Sequence, residues 1–247
     1  WLAEWKWDGI RALLIHRADA AEDGDGGGRV SLWSRGEELI TDGFPEIVAV
    51  GERLPLGTAV DGELLAWDHE RERPLAFGEL QKRIGRRRVQ PALFHDVPVV
   101  FMAYDVPEWG GEDVRALSLR ERRMRLLRLS EGLRGEGAWR VSVELEATGW
   151  DGRGVVRDSA RERGAEGVVL ERWSSPYRVG RVRGDWWKWK LAPHTADCVM
   201  VYAQQGHGRR ASLFTDYTFA VWAGEGEAEQ AVGGESLGGE RSLVPVA

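Results

Sequence analysis

Glu4-Trp5-Lys6-Trp7-Asp8-Gly9-Ile10-Arg11 is the stretch on which the reading turns. Residues 2 to 8 alternate as an extended strand does, so Trp5 and Trp7 are expected on one side and Glu4, Lys6 and Asp8 on the other. Gly9 closes the strand and a second apolar run, Arg11 to Arg17, follows it, which reads as a hairpin-like pair. The alternation recurs at Trp186-Trp187-Lys188-Trp189-Lys190, with Trp187 and Trp189 predicted on the core side and Lys188 and Lys190 opposite. Two strands thus offer amines to what one cavity can hold. Two solvated strand faces over aromatic cores is the plainer alternative from this feature alone.

Lysine is scarce: of the 34 basic residues only Lys6, Lys82, Lys188 and Lys190 are not arginine. An amine becomes a nucleophile once deprotonated, whereas a guanidinium stays protonated. A free lysine titrates near about 10.4, and neighbouring cations and partial desolvation lower that value. Lys188 and Lys190 are therefore expected to favour a nucleophilic Lys6.

At 247 residues the chain fits one large domain and part of another. Hydrophobic residues at 43% and charged residues at 30% describe a globular protein, and no apolar run is long enough to span a bilayer. Reducing cytoplasm is the expectation, because Cys198 has no second cysteine to pair with and no signal peptide precedes Trp1, and the protein is expected to be a monomer away from any membrane. The net charge of −6 argues mildly against a nucleic-acid binder. Two basic runs argue the other way: Arg83, Arg86, Arg87 and Arg88, and Arg172, Arg178, Arg181 and Arg183.

Strands are predicted at 30–34, 59–67, 97–106, 141–145, 167–172 and 186–191. Helices are predicted at 44–54 with Pro45 in the first turn, at 75–84, at 118–129 with Ser118 and Glu121 as a capping box, and at 150–163. After Pro193 the pattern changes to long strands at 197–204 and 210–222, which places a domain boundary at 192/193 and an all-β piece beyond it. Both ends read as cut, since a strand begins at once after Trp1 and an element is starting at Leu243 to Ala247.

The Glu4-x-Lys6-x-Asp8-Gly9-x-Arg11 stretch resembles the nucleotidyltransferase motif of DNA ligases, RNA ligases and mRNA capping enzymes. Further matches follow in order: Ser34-Arg35-Gly36, Asp61-Gly62-Glu63, Ala103-Tyr104-Asp105, Glu166-Gly167-Val168-Val169 and Lys188-Trp189-Lys190. The segment 99–123 and the runs at 81–86 and 202–210 are similar to ATP-dependent DNA ligases of the bacterial or archaeal repair type. The resemblance implies an α+β fold: an ATP-grasp-like nucleotidyltransferase (adenylation) domain of antiparallel sheets and flanking helices over residues 1–192, then a partial OB-fold β-barrel over 193–247.

By the same resemblance Lys6 is the nucleophile that attacks the α-phosphate of ATP, within a nucleotide site that also includes Glu4. Arg11, Arg35, Lys188 and Lys190 fall at phosphate-binding positions, Glu63 at the ribose carboxylate and Tyr104 at the ring that stacks on adenine, where the family usually has Phe. Glu63 and Glu166 are the implied ligands of Mg2+. The partner implied is nicked double-stranded DNA. The family's terminal Arg/Lys motif has no match, so a catalytically impaired fragment that only binds nucleotide or DNA remains an alternative, as does an RNA ligase or capping-type enzyme. His207 between two glycines reads as a turn facing DNA rather than a metal ligand.

Overall fold

The structure is a computed structural model that describes residues 1–18, 28–83, 97–147, 149–180, 182–193, 195–223 and 243–246. The chain divides into two compact units, Trp1–Leu191 and Ala192–Ala247.

In the first unit the chain runs through β1 (Leu2–Trp7), β2 (Ile10–Ala18), β3 (Gly28–Ser34), α1 (Pro45–Gly51), β4 (Thr58–Asp68), β5 (Arg73–Pro74) and α2 (Phe77–Gln81). It continues with β6 (Val99–Trp109), β7 (Glu112–Asp113), α3 (Leu119–Gly132), β8 (Trp139–Val141), α4 (Gly149–Asp158), β9 (Ala165–Glu171) and β10 (Trp186–Lys190). Two sheets result. The larger has the order β3-β2-β4-β6-β7, with β5 added beside β4 and β8 beside β6, and its pairs are antiparallel except β6 with β8. The smaller has the order β1-β9-β10, antiparallel throughout.

The central strands β4 and β6 are apolar on both faces, and their alternation sorts the side chains into two cores. Val60, Leu64, Ala66, Val99, Phe101 and Ala103 pack with Ile47 and Val50 of α1 and with Leu126 and Leu129 of α3. Leu65, Trp67, Val100 and Met102 face the other way and receive Trp7. The smaller sheet has its own core of Ala3, Val168 and Leu170, against which Trp5, Val156 and Trp189 pack.

Helix α3 begins as its sequence specifies: Ser118 caps the backbone of Glu121, and the Glu121 carboxylate accepts from the Ser118 N–H at 3.0 Å. Pro45 opens α1, where its missing N–H costs nothing.

Several expectations shift. The strand at 141–145 is instead β8 at Trp139–Val141. Beyond it the chain crosses between the sheets, with Ser142 N donating to Ala103 O at 2.8 Å and Leu145 N to Ala3 O at 2.7 Å. The helix at 75–84 is the short α2, and its expected end near Gly85 lies outside the described residues. The helix at 150–163 breaks after Asp158 into a 3-10 turn at Ala160–Arg163 that stops at Gly164, where φ is +69°.

Trp5 and Trp7 do not share one core. The pairing slips between them, so Trp5 lies opposite Val168 and Trp7 opposite Ala165, and each indole enters a different cluster. Nor does Trp187 bury: it is exposed, while Trp189 packs inward against Trp150 with ring centroids 6.2 Å apart. As the outer strand of a three-stranded sheet, β10 covers only part of what its alternation promises.

The second unit contains β11 (Val199–Gln205), β12 (Phe214–Trp222) and β13 (Leu243–Pro245), antiparallel in that order. The strand expected from Arg210 starts only at Phe214, because a 3-10 turn occupies Gly208–Arg210. His207 precedes that turn.

Candidate functional site

A cleft of about 390 Å³ lies in the first unit, with walls from β1, β2, β4, β6, β9 and β10. Lys6, Arg11, Arg35, Glu63, Tyr104, Glu166 and Lys188 all line it, and so does Glu4. Lys190 does not line it but reaches its rim through Glu166, Nζ to Oε2 at 3.0 Å. Every residue assigned to the nucleotide site from the sequence therefore lies in or against one cleft. A larger groove beside it, lined by Trp33, Glu37 and Tyr177, shares only Arg11 and Arg35 with this set.

Two glycines make the geometry possible. A Cβ on Gly9 would stand 2.3 Å from Leu64 O, so the turn from β1 to β2 can lie against β4 only without a side chain. A Cβ on Gly167 would stand 2.3 Å from Trp189 O, and φ there is +145°. This close approach of β9 to β10 sits where the β1 pairing slips. Glu166 is thereby aimed at both Lys6 and Lys190.

Lys6 Nζ donates to Glu166 Oε2, and the Lys6 side chain is only 17% exposed. Burial raises the Glu166 carboxyl, but the hydrogen bonds from Lys6 and Lys190 outweigh it and hold the group below its ordinary range. Glu63 differs: burial pushes it up to about 7, with Lys6 opposing. Burial also lowers the Lys188 ammonium, helped by repulsion from Lys6, Arg35 and Arg11. Asp8 is raised by burial and by Glu166 beside it.

Behind the cleft lies a hub that sequence reading did not single out. Asp61, only 2% exposed, accepts from Arg11 Nε at 3.1 Å and Nη2 at 2.5 Å, from Tyr104 Oη at 3.0 Å and from Tyr177 Oη at 2.7 Å. Arg11 thus spends one edge of its guanidinium on Asp61, which orients it, and burial keeps the Tyr104 phenol protonated to donate. Cross-strand pairing was the available clue, since Arg11 lies opposite Glu63, two residues from Asp61, in the β2–β4 ladder.

Glu4 is 3% exposed and pairs with Arg123 Nη1 at 2.9 Å. Burial pushes its carboxyl up to about 7 against that cation. Glu171, Ser142 and Trp186 also line the cleft and were not foreseen.

The basic runs divide. Arg83 is buried and donates to Glu46, to Gly43 O and to Val97 O, so it is part of the scaffold; Arg86 to Arg88 lie outside the described residues. Arg172 and Arg178 both pair with Asp185, at 3.3 and 3.4 Å, and Arg181 lies outside the described residues. Among the described residues no group of three or more His, Cys, Asp or Glu gathers as a metal cage, and no helix is long and apolar enough to cross a membrane.

An amine held among three further cations and flanked by carboxylates, on paired antiparallel sheets, defines a site for a phosphate-bearing ligand. The family described as "ATP dependent DNA ligase domain" matches residues 1–190, and the chain belongs to it. It is 34% identical over 249 residues to a probable DNA ligase of Koribacter versatilis, covering 91% of this chain and 40% of the relative. It is 36% identical to a probable DNA ligase of Opitutus terrae, covering 90% of this chain and 23% of the relative. The chain thus spans well under half the length of these relatives. Among solved structures, the ligase domain from M. tuberculosis LigD matches with a TM-score of 0.54 and 27% identity, over 75% of this chain and 53% of that one. A Lig E DNA ligase matches 99% of this chain and 76% of its own with a TM-score of 0.59, and at 18% identity it shows the fold alone.

Proposed function

We propose that residues 1–192 form the adenylation domain of an ATP-dependent DNA ligase, in which Lys6 takes AMP from ATP and passes it to the 5′-phosphate of a nick in duplex DNA. The observation that carries this is the convergence of Lys6, Lys188, Arg11 and Arg35 on one cleft with Glu63, Glu166 and Tyr104. The three strands β11 to β13 beyond it belong, in this reading, to a partial OB-fold over 193–247.

Lys6 Nζ attacks the α-phosphorus, a phosphoramide N–P bond forms, and the bond to pyrophosphate breaks. Lys6 is tied to Glu166, so the pair must part and Lys6 must give up a proton before it attacks. Arg35 and Lys188, both exposed toward the cleft, supply positive charge where the phosphates gain negative charge. Arg11 contributes the edge that Asp61 leaves free. Tyr104 offers its ring to adenine, and its hydroxyl is already fixed on Asp61. In the second step a DNA 5′-phosphate oxygen attacks the same phosphorus and the Lys6 N–P bond breaks. In the third a 3′-hydroxyl displaces AMP and the strand is joined.

Magnesium fits this donor set. Mg2+ is commonly held by one or two carboxylates together with phosphates and waters, which needs no cage of protein ligands. Glu166 and Glu63 would hold it, and the rise of Glu63 to about 7 marks a buried carboxyl that a cation would keep ionised. When bound, the ion supplies neutralisation of charge on the leaving pyrophosphate.

The test is to incubate the protein with ATP and Mg2+, remove free nucleotide, and add nicked duplex DNA or nicked RNA. AMP transferred to the DNA 5′-phosphate and then a sealed strand are expected. Transfer only to RNA, or charging by GTP in place of ATP, would replace this reading with an RNA-joining or capping-type one.

A further inference from the structure

Glu171 is a carboxyl that the reaction outlined above does not use. It is 4% exposed, it lines the cleft, and no described residue hydrogen-bonds its side chain. Its surroundings contain one carboxyl too many. From β1 comes Glu4, from β6 Asp105, and from α3 the guanidiniums of Arg122 and Arg123. Asp105 takes Arg122 through two bonds, Nε at 2.8 Å and Nη2 at 2.9 Å. The third nitrogen of Arg122 goes to Leu117 O and Ser175 O. Arg123 pairs with Glu4 at 2.9 Å and donates to Ser142 O. From β10 the residue opposite Glu171 is Trp186, which brings no charge. Three buried carboxyls thus share two guanidiniums, both committed, and Glu171 is the one left without a cation.

We infer that Glu171 hydrogen-bonds the Watson–Crick edge of the adenine of ATP and so serves as a base-reading residue of this cleft. The inference rests on the reading of the cleft as an ATP site.

A buried carboxyl without a cation takes up a proton, since ionisation in an apolar surround is costly. Burial, with repulsion from Glu4 and then Asp105, moves Glu171 well above its ordinary range. A neutral carboxyl offers an O–H donor beside a C=O acceptor. Adenine offers the complement, N1 as acceptor and the N6 amino group as donor, so two hydrogen bonds form with no charge buried. An ionised Glu171 offers two acceptors, which repel the N1 lone pair and suit instead the adjacent N1–H and N2 amino donors of guanine. Adenine binding is therefore lost as pH rises through the Glu171 pKa, and the preference for ATP over GTP weakens in the same direction.

The test measures ATP and GTP binding by wild type, Glu171→Gln and Glu171→Leu across pH 6 to 9.5, with folding of each variant checked by thermal unfolding. Glutamine keeps one donor and one acceptor and cannot ionise. The ratio of wild-type to Glu171→Gln Kd for ATP cancels titration of the phosphates and of the lysines. That ratio should climb about tenfold or more toward high pH, the size of one unsatisfied buried hydrogen-bonding group. Glu171→Leu should bind ATP about tenfold more weakly than Glu171→Gln at every pH, and about tenfold more weakly than wild type at pH 6, on the same grounds. A ratio that stays flat with pH, or a folded Glu171→Leu that binds ATP as wild type does at pH 6, overturns the inference while leaving the cleft an ATP site. A wild-type protein that binds no ATP overturns the reading of the cleft itself.

Discussion

Replacing Gly167 by Ala should damage both stability and the site. The added Cβ would lie 2.3 Å from Trp189 O, 2.8 Å from Lys190 Cα and 3.1 Å from Trp189 C. All three are backbone atoms, so no side chain can swing aside, and carbon contacts are comfortable only from about 3.5 Å. Holding a non-glycine residue at φ +145° adds a backbone cost of about 1–3 kcal/mol. Overpacking adds about 1–3 kcal/mol, for a total of about 2–6 kcal/mol. At about 2–4 °C per kcal/mol for a unit of this size, Tm should fall by at least about 4 °C. Relief requires β10 to move away from β9, which takes Lys188 and Lys190 from the cleft and opens the 3.0 Å contact of Lys190 with Glu166. Adenylation by ATP should therefore fall more than the loss of folded protein explains. Gly154→Ala in α4 is the control: its Cβ meets only Trp189 Cη2 at 3.9 Å, and alanine favours a helix by about 1 kcal/mol. If Gly167→Ala melts with Gly154→Ala and is adenylated at the wild-type rate, the close approach of β9 and β10 does not position the site.

Three more substitutions probe the scaffold. Glu63→Gln should change the pH profile of stability. The folded pKa of Glu63 is raised to about 7, so the wild type loses stability as pH rises from about 4.5 through about 7, by about 1–3 kcal/mol, and urea unfolding at pH 5 and pH 8 should show that loss shrink in the variant. Arg122→Leu leaves Asp105, 1% exposed, without its bidentate partner and should cost about 3–5 kcal/mol in chemical denaturation; less than 1 kcal/mol would mean that the pair is not a keystone. Tyr104→Phe keeps the ring and loses one hydrogen bond to Asp61, which Arg11 and Tyr177 still hold, so stability should drop by about 1 kcal/mol with ATP affinity nearly unchanged. A large loss of affinity would give the hydroxyl a direct role in binding.

Much of this was legible in the sequence because local rules wrote it. The Ser118–Glu121 capping box, Pro45 at the first turn of α1 and the apolar runs of β4 and β6 act over a few residues and form as read. The residues named for the site recur in a known order, and the structure gathers them in or against one cleft. Strict alternation failed at Trp5 and Trp7, where the slip in pairing with β9 sends two indoles to two cores; a bulge depends on the partner strand and leaves no mark in its own. It failed again at Trp187, since alternation assigns a face but not what covers that face. Asp61 was read as part of a motif, and its role as a hub for Arg11, Tyr104 and Tyr177 needed residues up to 166 positions apart to meet. Glu171 could not be foreseen because its character comes from Glu4, Asp105, Arg122 and Arg123 on three other elements.

The most direct test is to find where AMP attaches. The chain has only four lysines, Lys6, Lys82, Lys188 and Lys190, so peptide mapping by mass spectrometry after incubation with ATP and Mg2+ separates every candidate amine. AMP on Lys6, stable to base and released by acid as a phosphoramide is, with none on Lys6→Arg, is the predicted result. AMP on Lys188 or Lys82, or a Lys6→Arg variant that still becomes charged, would contradict the account.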